Sequence, residues 1–368
     1  MRVGFDARWY NDSGVGVYVA ELLRAMAQLS RDFELVVYED PQNPVPGLDG
    51  LPIVRIQVCA PKYSISEQLE LRRRCRQDKL DVFHSPFYVA PLGLHCPLVV
   101  TVHDLIPFLF RIYPRPKQWM VKMGYRAAVR RAQHVIADSW NTAKDVREIL
   151  SVPEARVTAV HMAASHCFQA KKQAGELERL QEKYSVHPPY VVAASARNWR
   201  TKNLESALKA LEIARSRCGI EFQTAVYGPA NGIDALGPEG RWRTLNLRRT
   251  GYVEAADLAM LFRHAQVFIM PSLYEGFGLP ILEAMSCGCA VVTSNAGSLA
   301  EVAGQGAQVF APLDITGMAE AVALLLRNPQ ELHRWKVSAL RRAADFSWNT
   351  AALETVSVYH RTLGANSH

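Results

Sequence analysis

The sequence predicts an α/β protein made of two doubly wound parallel-sheet domains in succession, and three observations carry that prediction. Short β-branched runs alternate with amphipathic helical stretches from one end of the chain to the other, the pattern of βαβ units. The length, 368 residues, is too great for one ordinary domain and suits two. The alternation also restarts after HPP, His187 to Pro189, whose paired prolines interrupt regular structure in the manner of an interdomain linker.

In chain order the candidate strands of the first half are VGFDA, FELVVYE, VVTVHD, HVIADS and VTAVHM. Those of the second half are YVVAAS, FQTAVYG, VFIMPS and AVVTSN. Between the first two strands, Val17 to Leu29 keeps Val19, Leu22, Leu23, Met26 and Leu29 at helical spacing on one face. The domains are expected at residues 1–184 and 190–345. Residues 346–368 contain one more helix, FSWNTAALETVSVYHRTL, with no strand to serve. It either caps the second domain or crosses back to the first, and the crossing is the expectation. No fixed-period repeat or low-complexity segment is present.

Hydrophobic residues make up 49% of the chain, enough for an ample core in a globular protein. Lys and Arg exceed Asp and Glu by seven. That suits phosphorylated small molecules, an anionic membrane surface or nucleic acid, and does not choose among them. Nucleic acid is disfavoured, because zinc-finger spacing, recognition-helix motifs and aromatic RNA-binding signatures are all absent from the sequence. The seven cysteines never fall in a Cys-x-x-Cys pair and read as reduced, mostly buried thiols of a cytoplasmic protein; Cys287 and Cys289 read as packing at a helix end rather than as a metal pair. The chain opens directly on a strand pattern, so no signal peptide is expected. No apolar run reaches the length of a membrane span, so any membrane contact is expected to be peripheral. The basic, aromatic segment Arg111 to Arg131 reads as a solvated helix with an ordinary core face, or alternatively as an acceptor- or membrane-facing surface.

The stretch with the most chemistry is YEGFGLPILEAMSCG. Strand VFIM ends, Gly276 and Gly278 flank Phe277 and let the backbone approach a ligand closely, and Pro280 suits the first turn of a helix. Backbone amides at Gly278 and Leu279 then point at one spot where the helix dipole favours an anion, and a phosphate is the natural guest. Glu275 before the turn and Glu283 inside the helix are placed to accept hydrogen bonds from sugar hydroxyls on either side of it. A plain helix start with acidic residues is the alternative for the elbow taken alone.

Four further loops follow strands. SARNWRTKN carries Arg197 and Lys202, two cations able to neutralise a diphosphate. WYNDSGVGVY carries Gly14 and Gly16, but Val19 stands where a dinucleotide fingerprint needs its third glycine, so a close backbone approach to a ligand is the better reading. TVHDLIPF places His103 and Asp104 at the carboxyl end of a strand, where catalytic groups of open α/β sheets gather. IADSWNTAKD places Ser139 and Asn141 at the same end of another strand, with Ser139 also a good helix cap.

Taken together, EGFGLPILEA with its two glutamates, the Arg197 and Lys202 pair, HDLIP, the DAR and SGVGVY opening and ADSWNT resemble the retaining glycosyltransferases of family 4, in order and across nearly the whole chain. The resemblance implies the GT-B fold, two Rossmann-like domains facing a central cleft. It implies a nucleotide-sugar donor held mainly by the second domain and an acceptor held by the first, with no other cofactor and no metal. On this pattern Glu275 binds hydroxyls of the transferred sugar, Glu283 the ribose, and His103 lies near the reacting carbon. Arg197 and Lys202 hold the diphosphate, helped by amides around Gly276, Phe277, Gly278 and Leu279 and by Gly16. Tyr227 and Gly228, with Tyr252 and Val253, lie near the base, and Asp104, Ser139 and Asn141 are candidates on the acceptor side. Ala196 replaces the glycine that family members often carry before Arg197. The donor expected is GDP-mannose, with a UDP-hexose next, and the acceptor a glycan or a lipid-linked oligosaccharide. A nucleotide-sugar epimerase or hydrolase and a catalytically silent sugar-nucleotide binder are the rivals, and an NAD-dependent dehydrogenase is disfavoured by Val19.

Overall fold

The computed structural model describes residues 1–11, 13–29, 32–195, 199–229 and 239–364. Two compact units emerge from the packing: Met1–Met162 with Ser347–His368, and Ala163–Phe346.

Unit 1 holds a parallel sheet of β1 (Arg2–Asp6), β2 (Glu34–Glu39), β3 (Ile53–Gln57), β4 (Val82–Ser85), β5 (Leu98–Val102), β6 (His134–Ala137) and β7 (Val157–Ala159), in the order β3-β2-β1-β4-β5-β6-β7. Its helices are α1 (Ser13–Gln28), α2 (Ile65–Gln77), α3 (Ile106–Leu109), α4 (Arg115–Arg131) and α5 (Trp140–Leu150). Central strands such as β5, LVVTV, are buried along their whole length, as parallel strands covered on both faces must be. One core layer gathers Val36, Leu71, Phe83, Val100, Val129 and Val135.

Unit 2 repeats the plan. Its helices are α6 (Glu176–Tyr184), α7 (Trp199–Lys202), α8 (Leu204–Cys218), α9 (Ala255–His264), α10 (Leu279–Ser286), α11 (Leu299–Ala303), α12 (Ile315–Arg327) and α13 (Pro329–Ala343). The parallel strands are β8 (Tyr190–Ala194), β9 (Gln223–Tyr227), β10 (Leu247–Gly251), β11 (Val267–Met270), β12 (Ala290–Ser294) and β13 (Gln308–Phe310), ordered β10-β9-β8-β11-β12-β13. Leu204, Leu208 and Leu211 of α8 meet Met318, Val322 and Leu325 of α12 over one face of this sheet.

The last helix, α14 (Trp348–Gly364), belongs to unit 1, where it packs on α1 and its Tyr359 hydroxyl lies 2.6 Å from His84 Nδ1 of β4. The His84 Nε2 meets Thr101 Oγ1 at 2.8 Å, and that hydroxyl meets Tyr18 OH at 2.9 Å. This buried polar chain is satisfied by a neutral imidazole, and burial together with nearby His103 holds the His84 pKa down to about 3.

The division between units falls at Met162, not at the expected HPP linker. The reason is side-chain pairing that α6 makes with α9. Lys183 Nζ and the Tyr184 hydroxyl both donate to Asp257 Oδ2, at 2.6 and 2.7 Å, and Glu176 takes a 2.6 Å ion pair from Arg263. The sequence pattern also missed four strands. β3 is half exposed, β4 carries a histidine, β10 carries two arginines and β13 has only three residues, so none reads as a strong β-branched run.

Candidate active site

Strand order reverses between β8 and β11 in unit 2, which leaves a crevice at their carboxyl ends, the place where open α/β sheets bind ligands. The cation loop leaves β8 there and the glycine elbow leaves β11. Their backbones join where Leu273 N donates to Thr201 O at 2.7 Å. Asn203, in the left-handed conformation at φ 53°, donates from Nδ2 to Pro271 O at 3.0 Å and to Pro312 O at 2.8 Å.

These bonds bring Lys202 Nζ to 2.8 Å from Glu275 Oε1, with side-chain exposures of 16% and 13%. Glu283, five residues into α10, is buried; burial pushes its carboxyl up to about 7 although the Lys202 charge opposes the shift. Tyr227 at the end of β9 feels the same site: burial first, then Glu283 and Glu275, drive its hydroxyl pKa well above the usual value. Among the described residues the crevice thus gathers Lys202 and the carboxylates of Glu275 and Glu283 near the start of α10.

The elbow itself is a left-handed turn at Gly278, φ 99°, which begins α10 with Pro280 in its first turn. A side chain there would meet Leu299 Cδ2 at 2.8 Å. Gly276 and Phe277 lie within the turn, and Phe277 is buried against Phe346 with ring centroids 5.9 Å apart. Two supports went unnoticed in the sequence. Ser298 donates from Oγ to Phe277 O at 2.6 Å and from its backbone N to Glu275 O at 3.2 Å. Gly297, at φ 59°, lies so close to the Glu275 carbonyl that a Cβ there would overlap it. The signal was present as AGS directly after AVVTSN, but a loop that props another loop leaves no periodic trace.

Gly228 follows Tyr227 at φ 115°, its N donates to Gly251 O at 2.8 Å, and a side chain there would overlap the Ser195 carbonyl. Tyr252 and Val253 come next after Gly251; Tyr252 is 84% exposed, whereas Val253 is buried. Arg197 lies outside the described residues.

In unit 1 the expected loop at SGVGVY is helix: α1 begins at Ser13, so Gly14 and Gly16 form its first turn. Gly16 is required there by packing, because a Cβ would overlap the Tyr10 carbonyl. The DAR opening forms a buried ion cluster, with Arg8 pairing with Asp6 and with Glu67 of α2 at 2.7 Å each.

The carboxylate that meets His103 comes from another strand end. His103 Nδ1 lies 2.6 Å from Asp138 Oδ2 of ADSWNT, and Nε2 lies 2.7 Å from Pro86 O. Both partners are acceptors, so both nitrogens donate, and only the protonated imidazolium satisfies them. Burial alone would lower this pKa; Asp138, the Pro86 carbonyl and Asp104 more than offset it and raise it. Asp104 Oδ1 accepts from Ile106 N at 2.9 Å at the start of α3. Ser139 is the N-cap of α5, accepting from Thr142 N at 2.9 Å, and Asn141 Nδ2 donates to Asp145 Oδ2 at 3.2 Å. The structure therefore places Asp138 against the histidine.

Two parallel-sheet units, with an anion-suited helix start, a lysine and two carboxylates at the switch point of the second, define a glycosyltransferase of the GT-B fold. Family models match both units: Glycosyltransferase Family 4 over residues 13–164 and Glycosyl transferases group 1 over residues 178–342. The chain belongs to glycosyltransferase family 4. It is 27% identical over 286 residues to the O-antigen chain mannosyltransferase B of Escherichia coli, covering 76% of this chain and 74% of that one. It is 25% identical over 401 residues to the MMP alpha-(1->4)-mannosyltransferase of Mycolicibacterium hassiacum, covering 95% of each. The solved sucrose-phosphate synthase from Thermosynechococcus elongatus superposes with a TM-score of 0.78 at 17% identity, over 99% of this chain and 100% of that one.

Proposed function

We propose that the chain is a retaining hexosyltransferase that moves mannose from GDP-mannose to a glycan or lipid-linked acceptor in polysaccharide or glycolipid synthesis. The observation that carries this reading is the Lys202–Glu275 pair beside buried Glu283 at the start of α10. Mannose is favoured because two relatives, matched over 76% and 95% of this chain, are named mannosyltransferases; a third, matched over 94%, is named a D-inositol 3-phosphate glycosyltransferase. Unit 2 binds the donor. Lys202 and the first amides of α10, with Arg197, take the diphosphate; Glu275 takes the hexose hydroxyls and Glu283 the ribose. Tyr227, Gly228, Tyr252 and Val253 border the base. Unit 1 supplies His103 and the acceptor-side groups.

The bond between the anomeric carbon and the phosphate oxygen breaks, placing negative charge on the leaving diphosphate and positive charge on the sugar. Lys202 and the amides stabilise the first without a metal ion, and a leaving-phosphate oxygen takes the proton of the acceptor hydroxyl as the hydroxyl's own oxygen bonds to the same face of the carbon. The transfer is therefore retaining. The test is product analysis after incubating the protein with GDP-mannose, a glycan acceptor and EDTA. An α-linked product from the α-configured donor supports the reading, and an inverted product, or a strict metal requirement, overturns it. Turnover of UDP-glucose but not GDP-mannose would reassign the donor.

A further inference from the structure

The chain's charge is not spread evenly. From Leu105 to Ala137 there is no Asp or Glu, while this segment holds seven Lys and Arg. Without those seven, Lys and Arg number 35, equal to the 35 Asp and Glu of the whole chain. The entire excess positive charge of +7 therefore sits in one stretch of unit 1, most of it on α4.

α4 also exposes apolar side chains. Its inner face, Val121, Tyr125, Ala128 and Val129, is buried in the unit 1 core, with Tyr125 stacked on Tyr88 at 4.1 Å. On the outer face Trp119 is 66% exposed, Met120 61% and Met123 39%, and Leu109 of α3 adds another exposed apolar group. Single exposed apolar residues are ordinary, but a Trp and two Met within two turns of one helix are a patch. Arg115, Trp119, Lys122, Met123 and Arg126 share one helical strip, so the cations flank the patch. Lys122 and Arg126 also lie over the Phe108 ring, at 5.4 and 5.2 Å, which holds them in place at its edge.

We infer that the outer face of α4 is a docking surface for an anionic lipid bilayer. A soluble polyanion would explain the cations but not Trp119, Met120 and Met123. A protein partner would explain the apolar groups but not the complete absence of carboxylates. An interfacial helix needs both: cations for acidic headgroups, and Trp and Met, whose apolar bodies lie at the level of the headgroups and upper acyl chains. The inference stands apart from the donor and acceptor assignments, since it needs no substrate.

The test is co-sedimentation of the full chain with vesicles of phosphatidylcholine alone and of phosphatidylcholine mixed with phosphatidylglycerol, without donor. The expected result is binding to the mixed vesicles only, weakened by salt. Lys122→Glu with Arg126→Glu should weaken it about tenfold or more, and Trp119→Ser with Met120→Ser should weaken it comparably, with unchanged melting curves for both variants. No binding to mixed vesicles at low salt would overturn the inference. So would wild-type binding by the Trp119→Ser, Met120→Ser variant, which would leave only nonspecific charge attraction. A concentration-dependent dimer in vesicle-free solution that this variant abolishes would instead assign the face to a second copy of the chain.

Discussion

Lys202 Nζ lies 2.8 Å from Glu275 Oε1, an ion pair formed by two loops that leave adjacent strands β8 and β11. Each group neutralises the other until a ligand arrives. A diphosphate competes for the lysine and hexose hydroxyls compete for the carboxylate. Substituting either residue should lower kcat/KM for transfer by about 100-fold, measured by initial rates. In stability the pair should show a coupling of about 1 kcal/mol in a Lys202→Ala, Glu275→Ala double-mutant cycle by denaturant melts. Full transfer activity in Glu275→Ala would remove the elbow from the mechanism.

Glu283 gives the site a pH dependence. Burial pushes its carboxyl pKa up to about 7 in the fold, well above the ordinary carboxylate range. The raised value means that its contribution to stability is complete below the ordinary carboxylate range and is lost as pH rises towards about 7. Glu283→Gln should flatten the melting temperature against pH over that window. Bound nucleotide, whose ribose hydroxyls donate to the ionised form, should bind wild type more tightly as pH rises through the same window, and the variant should lose this trend.

The His103–Asp138 pair works in the same direction for a different reason. The histidine pKa is raised, so the stability of the pair is present below the usual imidazole range and is lost as pH rises through the raised value. Asp138→Asn removes the carboxylate charge while preserving shape. NMR titration should show one imidazole, identified by its absence in His103→Gln, shifted to lower pKa in the variant. Transfer should fall with it if His103 acts on the sugar as an imidazolium.

Gly297 should be intolerant of a side chain for positional reasons. Its φ of 59° is left-handed, and a Cβ would displace the Glu275 carbonyl. Gly297→Ala is expected to raise KM for donor and lower kcat together, at a stability cost of about 1 to 3 kcal/mol. A variant with normal kinetics would show that the Glu275 position tolerates movement.

Much of this architecture is legible in the sequence because parallel strands covered on both faces read as short, nearly continuous apolar runs, and YVVAA, VFIM and AVV are such runs. The elbow is legible because a left-handed turn before a helix needs Gly278 and favours Pro280. What the sequence hid are relations between distant segments. Asp104 stands beside His103 in the chain, yet its own turn at Ile106 takes its carboxylate, and Asp138, 35 residues on, reaches the imidazole instead. The glycine spacing at Gly14 and Gly16 suggests a loop, and the structure puts both in the first turn of α1, where the Tyr10 carbonyl gives Gly16 a packing role as well. The unit boundary escaped because α6 is tied to unit 2 by Asp257 and Arg263, and a long-range ion pair has no periodicity.

The central claim is that the loops after β8 and β11 hold a nucleotide sugar. Calorimetric titration of GDP-mannose into wild type and Lys202→Ala tests it most directly, with UDP-glucose run in parallel and EDTA throughout. The account predicts saturable binding by wild type and affinity reduced about tenfold or more in the variant. Equal affinity in the two proteins, or no binding of either nucleotide sugar by wild type, would contradict it.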